Sequence, residues 1–300
     1  MRKIKYLLIM AGLMVIAASC KKSIQESNPL SDASNFGIGS YLVLDSTINV
    51  NMNYSSIATS TAGIMVDEYA GGQPVESIVM YVATTNTYDT TQWHLIKTVP
   101  FAGKGTVLSV TGADLATALG VAPSTLSPGT SYTVFNRAVT KSGEFWDVSN
   151  TGYANDGTNL ISGTNYHSAF YYTINVVCPF VAPMAGTYKV IEDDWVDWSP
   201  GDLVPVTDGP GVNQLNLSQV WPNPAYGVVV SPLYCNVDPA TGVATIPAGI
   251  NWGNYGYVTS TLSGSGGNVF SCTGLISLSI HVNAAGYGDQ GFLKLILQKQ

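Results

Sequence analysis

The chain has 300 residues, of which 46% are apolar and only 10% charged, against about 25% charged in an ordinary soluble domain. That apolar fraction excludes wholesale disorder, while 31 Gly, 15 Pro and 17 Tyr with so few charges exclude coiled coils and helical bundles and favour short strands joined by turns. A net charge of -7 repels phosphate backbones, so nucleic acid is not an expected partner.

Residues 1–19 read as an export signal: Arg2, Lys3 and Lys5 form a basic start, Tyr6 to Ala18 an apolar run, and Ala17-Ala18-Ser19 a small-residue approach to Cys20. A thiol at the cut is what a bacterial lipoprotein signal needs, because its sulfur takes the lipid. Cys20 is therefore the expected lipidation site. The apolar run is shorter than the roughly 20 residues of a membrane-spanning helix. Each buried acyl methylene contributes about 0.8 kcal/mol, so more than one chain anchors the protein firmly. Residues 20–37 are polar and aperiodic, a linker that sets the body roughly 20 Å from the membrane.

Residues 38–178 carry runs of alternating β-branched and aromatic residues: Tyr41–Leu44, Ile48–Met52, Ser77–Val82, Trp93–Lys97 and Val107–Val110. Period two predicts half-buried antiparallel strands. One helix is expected over Ala113–Leu119, capped by Thr111 with Asp114 three residues on and stopped by Gly120. Leu126-Ser127-Pro128-Gly129-Thr130-Ser131-Tyr132 resembles the corner of fibronectin type III and related immunoglobulin-like sandwiches, in which the Tyr hydroxyl bonds back to the turn. A last strand is predicted over Tyr166–Val177, and the two prolines in Cys178–Pro183 mark a domain boundary.

Residues 179–300 read as a second all-β unit, a sandwich or small barrel, with turns at Ser199–Asp202, Asp208–Gly211 and Asp238–Gly242. Beyond Cys20 the cysteines are Cys178, Cys235 and Cys272, an odd number in an exported chain. One bridge with one free thiol is expected, and spacing leaves three pairings open.

No hydrolase, metalloprotease or nucleotide-binding motif is present, and His94, His167 and His281 lie far apart in sequence. No catalytic residue, cofactor or metal site is predicted. The densest polar-aromatic segment is Glu192–Asp202, with Trp195 and Trp198 set among acids. Acids demand water while each indole wants burial, so at least one ring is expected at the surface. The competing arrangement puts Trp195 in the core and Trp198 against a turn. A sugar's C–H face stacks on an aromatic ring while carboxylates and amides accept its hydroxyl protons. Trp195, Trp198, Trp252 and Tyr255 are thus the stacking candidates, with Asp194, Asp197 and Asn254 as hydroxyl partners. Related mixtures recur at Trp221–Tyr226, Asn251–Tyr257 and Gly286–Gln290, and convergence of such loops would form an aromatic platform. The acids match no standard calcium loop.

A lipidated Cys, a short linker, an immunoglobulin-like first domain, Val176-Val177-Cys178-Pro179-Phe180, Ala185-Gly186-Thr187-Tyr188-Lys189-Val190 and a closing Gly286-Tyr287-Gly288-Asp289 together resemble the SusE/SusF-like accessory outer-membrane lipoproteins of Bacteroidota. The resemblance implies a glycan-binding accessory to a SusC/SusD-type importer, held in the outer membrane and facing the cell surface, and favours a Cys178–Cys272 bridge. It transfers no binding residue. The alternatives are an envelope protein that docks on other proteins without binding sugar, and a small hydrolase.

Overall fold

The computed structural model describes residues 39–151 and 167–300. The expected export signal, Cys20, the linker and the start of the last sandwich strand at Tyr166 lie outside the described residues. Among the described residues strands make up 49% and helix 7%, which makes the class all-β.

The first unit is a sandwich of two sheets. One sheet has the order β1 (Leu42–Asn49), β3 (Thr61–Glu68), β6 (Thr106–Thr111). The other runs β2 (Asn51–Asn53), β9 (Tyr171–Val177), β7 (Ser131–Thr140), β4 (Val75–Ala83), β5 (His94–Pro100), with β8 (Phe145–Trp146) also paired to β7. All pairs are antiparallel except β2 with β9. Helix α1 (Gly112–Leu119) has a full capping box, Thr111 and Asp114 each satisfying the other's backbone amide, and ends on left-handed Gly120. Trp93 stacks on Phe135 at 4.2 Å in the core. The Leu126–Tyr132 corner is closed by Thr130 Oγ1 donating to the Ser127 carbonyl and Gly129 N donating to the Val176 carbonyl. The Tyr132 hydroxyl makes no bond to that corner, and the Thr130 hydroxyl and the Gly129 amide supply its closing bonds instead.

The second unit is a closed eight-stranded barrel. Its strands are β10 (Gly186–Asp193), β11 (Leu203–Asp208), β12 (Gln214–Asn216), β13 (Tyr234–Val237), β14 (Val243–Thr245), β17 (Gly266–Phe270), β18 (Leu275–Ala284) and β19 (Gly288–Lys299). Each pairs antiparallel with the next, and β19 returns to β10. The hairpin β15 (Asn251–Asn254) and β16 (Val258–Thr261) is inserted between β14 and β17 and extends the sheet from β18. Strand β18, Leu-Ile-Ser-Leu-Ser-Ile-His-Val-Asn-Ala, shows why: every second residue from Ile276 to Ala284 is buried. Closure leaves none of the eight barrel strands with an unpaired edge.

Two hydrophobic clusters, residues 42–176 and 180–297, meet at the Cys178–Pro183 linker. Cys178 and Cys272 form a disulfide and Cys235 is a buried free thiol. The linker lies on the barrel, with Phe180 N donating to the Pro239 carbonyl and Val181 N to Ser271 Oγ. The β13–β14 and β17–β18 turns therefore face the sandwich. In a meander the β11–β12 turn shares that end, and the loops β10–β11, β12–β13, β14–β17 and β18–β19 must lie at the far end.

Candidate functional site

Those four far-end loops are the segments that hold Trp195 and Trp198, Trp221 and Tyr226, Trp252 to Tyr257, and Tyr287. Topology alone brings them together. Trp221 and Trp252 stack at 5.4 Å, Trp195 lies 5.8 Å from Trp252 and 5.5 Å from Tyr255, and the series continues through Tyr257 at 6.1 Å from Tyr255 to Tyr287 at 4.8 Å from Tyr257. Inner rings fill the barrel mouth and outer ones reach solvent: Trp221 and Trp252 are fully buried, Trp195, Tyr255 and Tyr257 half-buried, and Tyr287 is 71% exposed.

Two carboxylates organise the cluster. Asp193 accepts from the backbone amides of Trp195 and Trp198, at 3.0 Å each, and from Trp221 Nε1 at 3.1 Å. Asp197 Oδ2 accepts from Asn223 N and the Tyr255 hydroxyl, both at 2.7 Å, and Asn223 Nδ2 donates back to the Asp197 carbonyl. Between them sits Val196, a β-branched residue at φ 64 with 79% exposure. Its side chain disfavours that left-handed backbone, so the surrounding hydrogen bonds must hold it there. Tyr255 is seated by two glycines. A Cβ on Gly253 or Gly227 would lie 3.0 or 3.1 Å from its ring, and one on Gly227 would also meet Pro222 at 2.7 Å.

Burial lifts the Asp193 and Asp197 carboxyls above their ordinary range against the lowering pull of their donors, and burial together with Asp197 lifts the Tyr255 phenol. These groups are tied to one another, and they act as clasps on the rings.

The expected site residues are thus sorted by their surroundings. Trp252 is a correction: at 0% exposure it offers no face to a ligand, and its indole nitrogen is buried without a partner. Asp197 is buried, and its Oδ2 is occupied by Tyr255 and Asn223, so that oxygen is not open to a sugar hydroxyl. Trp198 is half-buried with Nε1 donating to the Val220 carbonyl at 2.7 Å. Asp194 is exposed and accepts from Lys294 N on β19, while Asn254 is exposed and accepts from Gly256 N. Trp195 and Tyr255 remain half-exposed in the cluster. Asp193, Tyr257 and Tyr287 lie in the polar-aromatic segments that the sequence marks, but composition alone gives no reason to choose them as site residues.

The β18–β19 tip that carries Tyr287 has its own clasp. His281 Nδ1 lies 3.1 Å from the Ser263 carbonyl, Nε2 lies 2.9 Å from Asp289 Oδ1, and the ring stacks on Phe292 at 4.4 Å. Only the doubly protonated ring donates to both acceptors. The Ser263 carbonyl and then Asp289 accordingly raise the His281 pKa. A raised folded value means that this stabilisation is complete below about 6.5 and is lost as pH rises through the folded pKa. The raised Asp193 and Asp197 carry the same sign, while the lowered Asp289 acts only near its own ordinary value of 3.8. Hydrogen exchange at the far-end loops, corrected for intrinsic rates, is expected to slow when pH falls from about 8 to about 5.5. Unchanged or faster exchange would contradict the clasp, and His281→Asn should remove the part of the effect at the β18–β19 tip.

Among the described residues no group of three or more His, Cys, Asp or Glu side chains is placed to hold a metal, and no helix is long and apolar enough to cross a membrane. No protein-family model and no curated protein matches the chain.

Proposed function

We propose that the protein is a non-catalytic outer-membrane lipoprotein, anchored through acylated Cys20, whose far barrel end captures neutral oligosaccharide for a neighbouring SusC/SusD-type importer. The observation that carries this reading is the run of touching rings from Trp195 through Tyr255 and Tyr257 to Tyr287, buried at one end and exposed at the other. Rings in that order give a sugar chain successive stacking faces, and flanking amides and carboxylates can meet its hydroxyls. Segments 193–202, 221–228, 251–257 and 284–291 contain five Asp and no Lys or Arg, which disfavours acidic glycans. The ligand surface lies at the end of the barrel away from the sandwich, and the sandwich is the unit that the amino-terminal tether enters. An immunoglobulin or fibronectin-III-like character for that sandwich is supported by its strand order, β1-β3-β6 against β9-β7-β4-β5.

Affinity electrophoresis against neutral and acidic polysaccharides tests the binding reading. Retardation is expected on at least one neutral polysaccharide, and Tyr257→Ala with Tyr287→Ala should weaken it at least tenfold, as loss of two stacking contacts implies. Metabolic labelling with palmitate tests the anchor: label should enter the wild type and be absent from Cys20→Ala, and an unlabelled wild type would refute it. A second reading, docking on another envelope protein, draws on the exposed apolar side chains Tyr226, Val228 and Val230 in the loop beside the rings. Co-purification of a membrane protein without retardation on any glycan would favour it.

A further inference from the structure

The junction between sandwich and barrel encloses a cleft of about 230 Å3 at the opposite end from the aromatic cluster. The sandwich contributes Asn51, Ser131 and Asn175, and the barrel contributes Val243, Asn268 and Phe270.

Its walls are held at a fixed spacing. The Cys178–Cys272 disulfide joins the linker to the β17–β18 turn, and Ser271 Oγ donates to the Pro179 carbonyl while accepting from Val181 N. On the other side, Gly129 of the sandwich corner sits so close to Phe270 that a Cβ there would lie 2.8 Å from the ring. A cleft with both sides tethered is formed before a ligand arrives, which lowers the ordering cost of binding.

The lining also has unused hydrogen-bonding capacity. Ser131 Oγ donates to Asn175 Oδ1 at 2.8 Å, and Asn175 Nδ2 reaches Asn51 Oδ1 at 3.5 Å. The side-chain nitrogen Nδ2 of Asn51 and the whole side-chain amide of Asn268 have no hydrogen-bond partner among the described residues. None of the residues lining the cleft is ionisable, so nothing there compensates a charged ligand. Val177 and Val243 supply apolar surface beside the amides, with Phe270 and Val176 buried behind them. The volume falls below the roughly 300–1,000 Å3 of sites for drug-sized molecules.

We propose that this cleft binds a neutral, ring-sized polyol, a single sugar residue, with its C–H face on Val177 and Val243 and its hydroxyls on the amides of Asn51, Asn175 and Asn268. The site is separate from the far barrel end and does not depend on the reading given to it.

Titration of isotope-labelled protein with D-glucose, D-galactose, D-mannose, N-acetyl-D-glucosamine and myo-inositol tests it through the side-chain amide resonances. At least one of these is expected to shift the Asn51, Asn175 and Asn268 signals saturably. Val243 is an exposed position, so Val243→Trp can fill the cleft without disturbing the core and should abolish the shifts. Asn268→Ala should weaken binding roughly tenfold, as loss of one well-made hydrogen bond implies. No shift with any of the five, or a titration unaltered by Val243→Trp, would overturn the proposal. Tyr257→Ala with Tyr287→Ala should leave these titrations unchanged, so the two sites fail or succeed independently.

Discussion

Replacing Cys178 and Cys272 together by Ala is expected to lower the unfolding free energy of the barrel by about 4–5 kcal/mol, read by urea titration of the near-ultraviolet circular dichroism. The bridge closes a loop with a sequence separation of 94, and in the chain-entropy model a loop of that length removes this much disorder from the unfolded state. The bridge also ties the linker to the β17–β18 turn, so its loss frees the junction with the sandwich. The far barrel end should be affected less, because its rings are held by Asp193 and Asp197 and by the closed sheet. A change below about 1 kcal/mol would mean that the linker hydrogen bonds to Pro239 and Ser271 already fix the junction without the bridge.

Asp193→Ala should cost nearly as much, about 3–5 kcal/mol, and should act at the opposite end. The substitution orphans two backbone amides and the Trp221 indole N–H at once. Trp221 is fully buried against Trp252, so its nitrogen has no route to water unless the stack opens. The expected signature is a large loss of stability together with a red-shifted tryptophan emission. Asp194→Ala is the control: Asp194 is exposed and accepts one backbone amide, so a cost of about 1 kcal/mol or less is expected. Equal effects of the two substitutions would show that Asp193 does not organise the cluster.

The all-β class was legible because period-two alternation in segments such as Ile276–Ala284 admits one regular structure, and helix α1 because its capping box and terminal glycine are local signals. Strand β3 was not read from the sequence, since Ala62 and Gly63 dilute its alternation, although Ala62, Ile64 and Val66 all face the core. The grouping of the four aromatic segments depends on which loops share an end, a property of the whole meander that no single segment contains. Around Trp252 the neighbours Asn251, Gly253 and Asn254 read as a polar loop, which points to an exposed ring. In the fold this is an edge hairpin with a register shift between Asn251 and Gly253, and it turns the indole inward. Asp193 looked like its neighbours Asp194 and Asp197 in composition. It differs only in standing at the end of β10, where the two tryptophan amides and a third indole converge. The pairing of His281 with Asp289 likewise needs the β18–β19 register to become visible.

Under the proposed function, outer rings of the far barrel end contact oligosaccharide while the inner rings support them. Indole and tyrosine-ring resonances followed during titration with a neutral oligosaccharide that is retarded in electrophoresis test it most directly. The signals of Trp195, Tyr257 and Tyr287 should move together with one saturation curve, while the buried Trp252 indole moves least. Saturable binding that leaves Trp195, Tyr257 and Tyr287 unmoved, or the absence of binding by every neutral glycan tried, would contradict it.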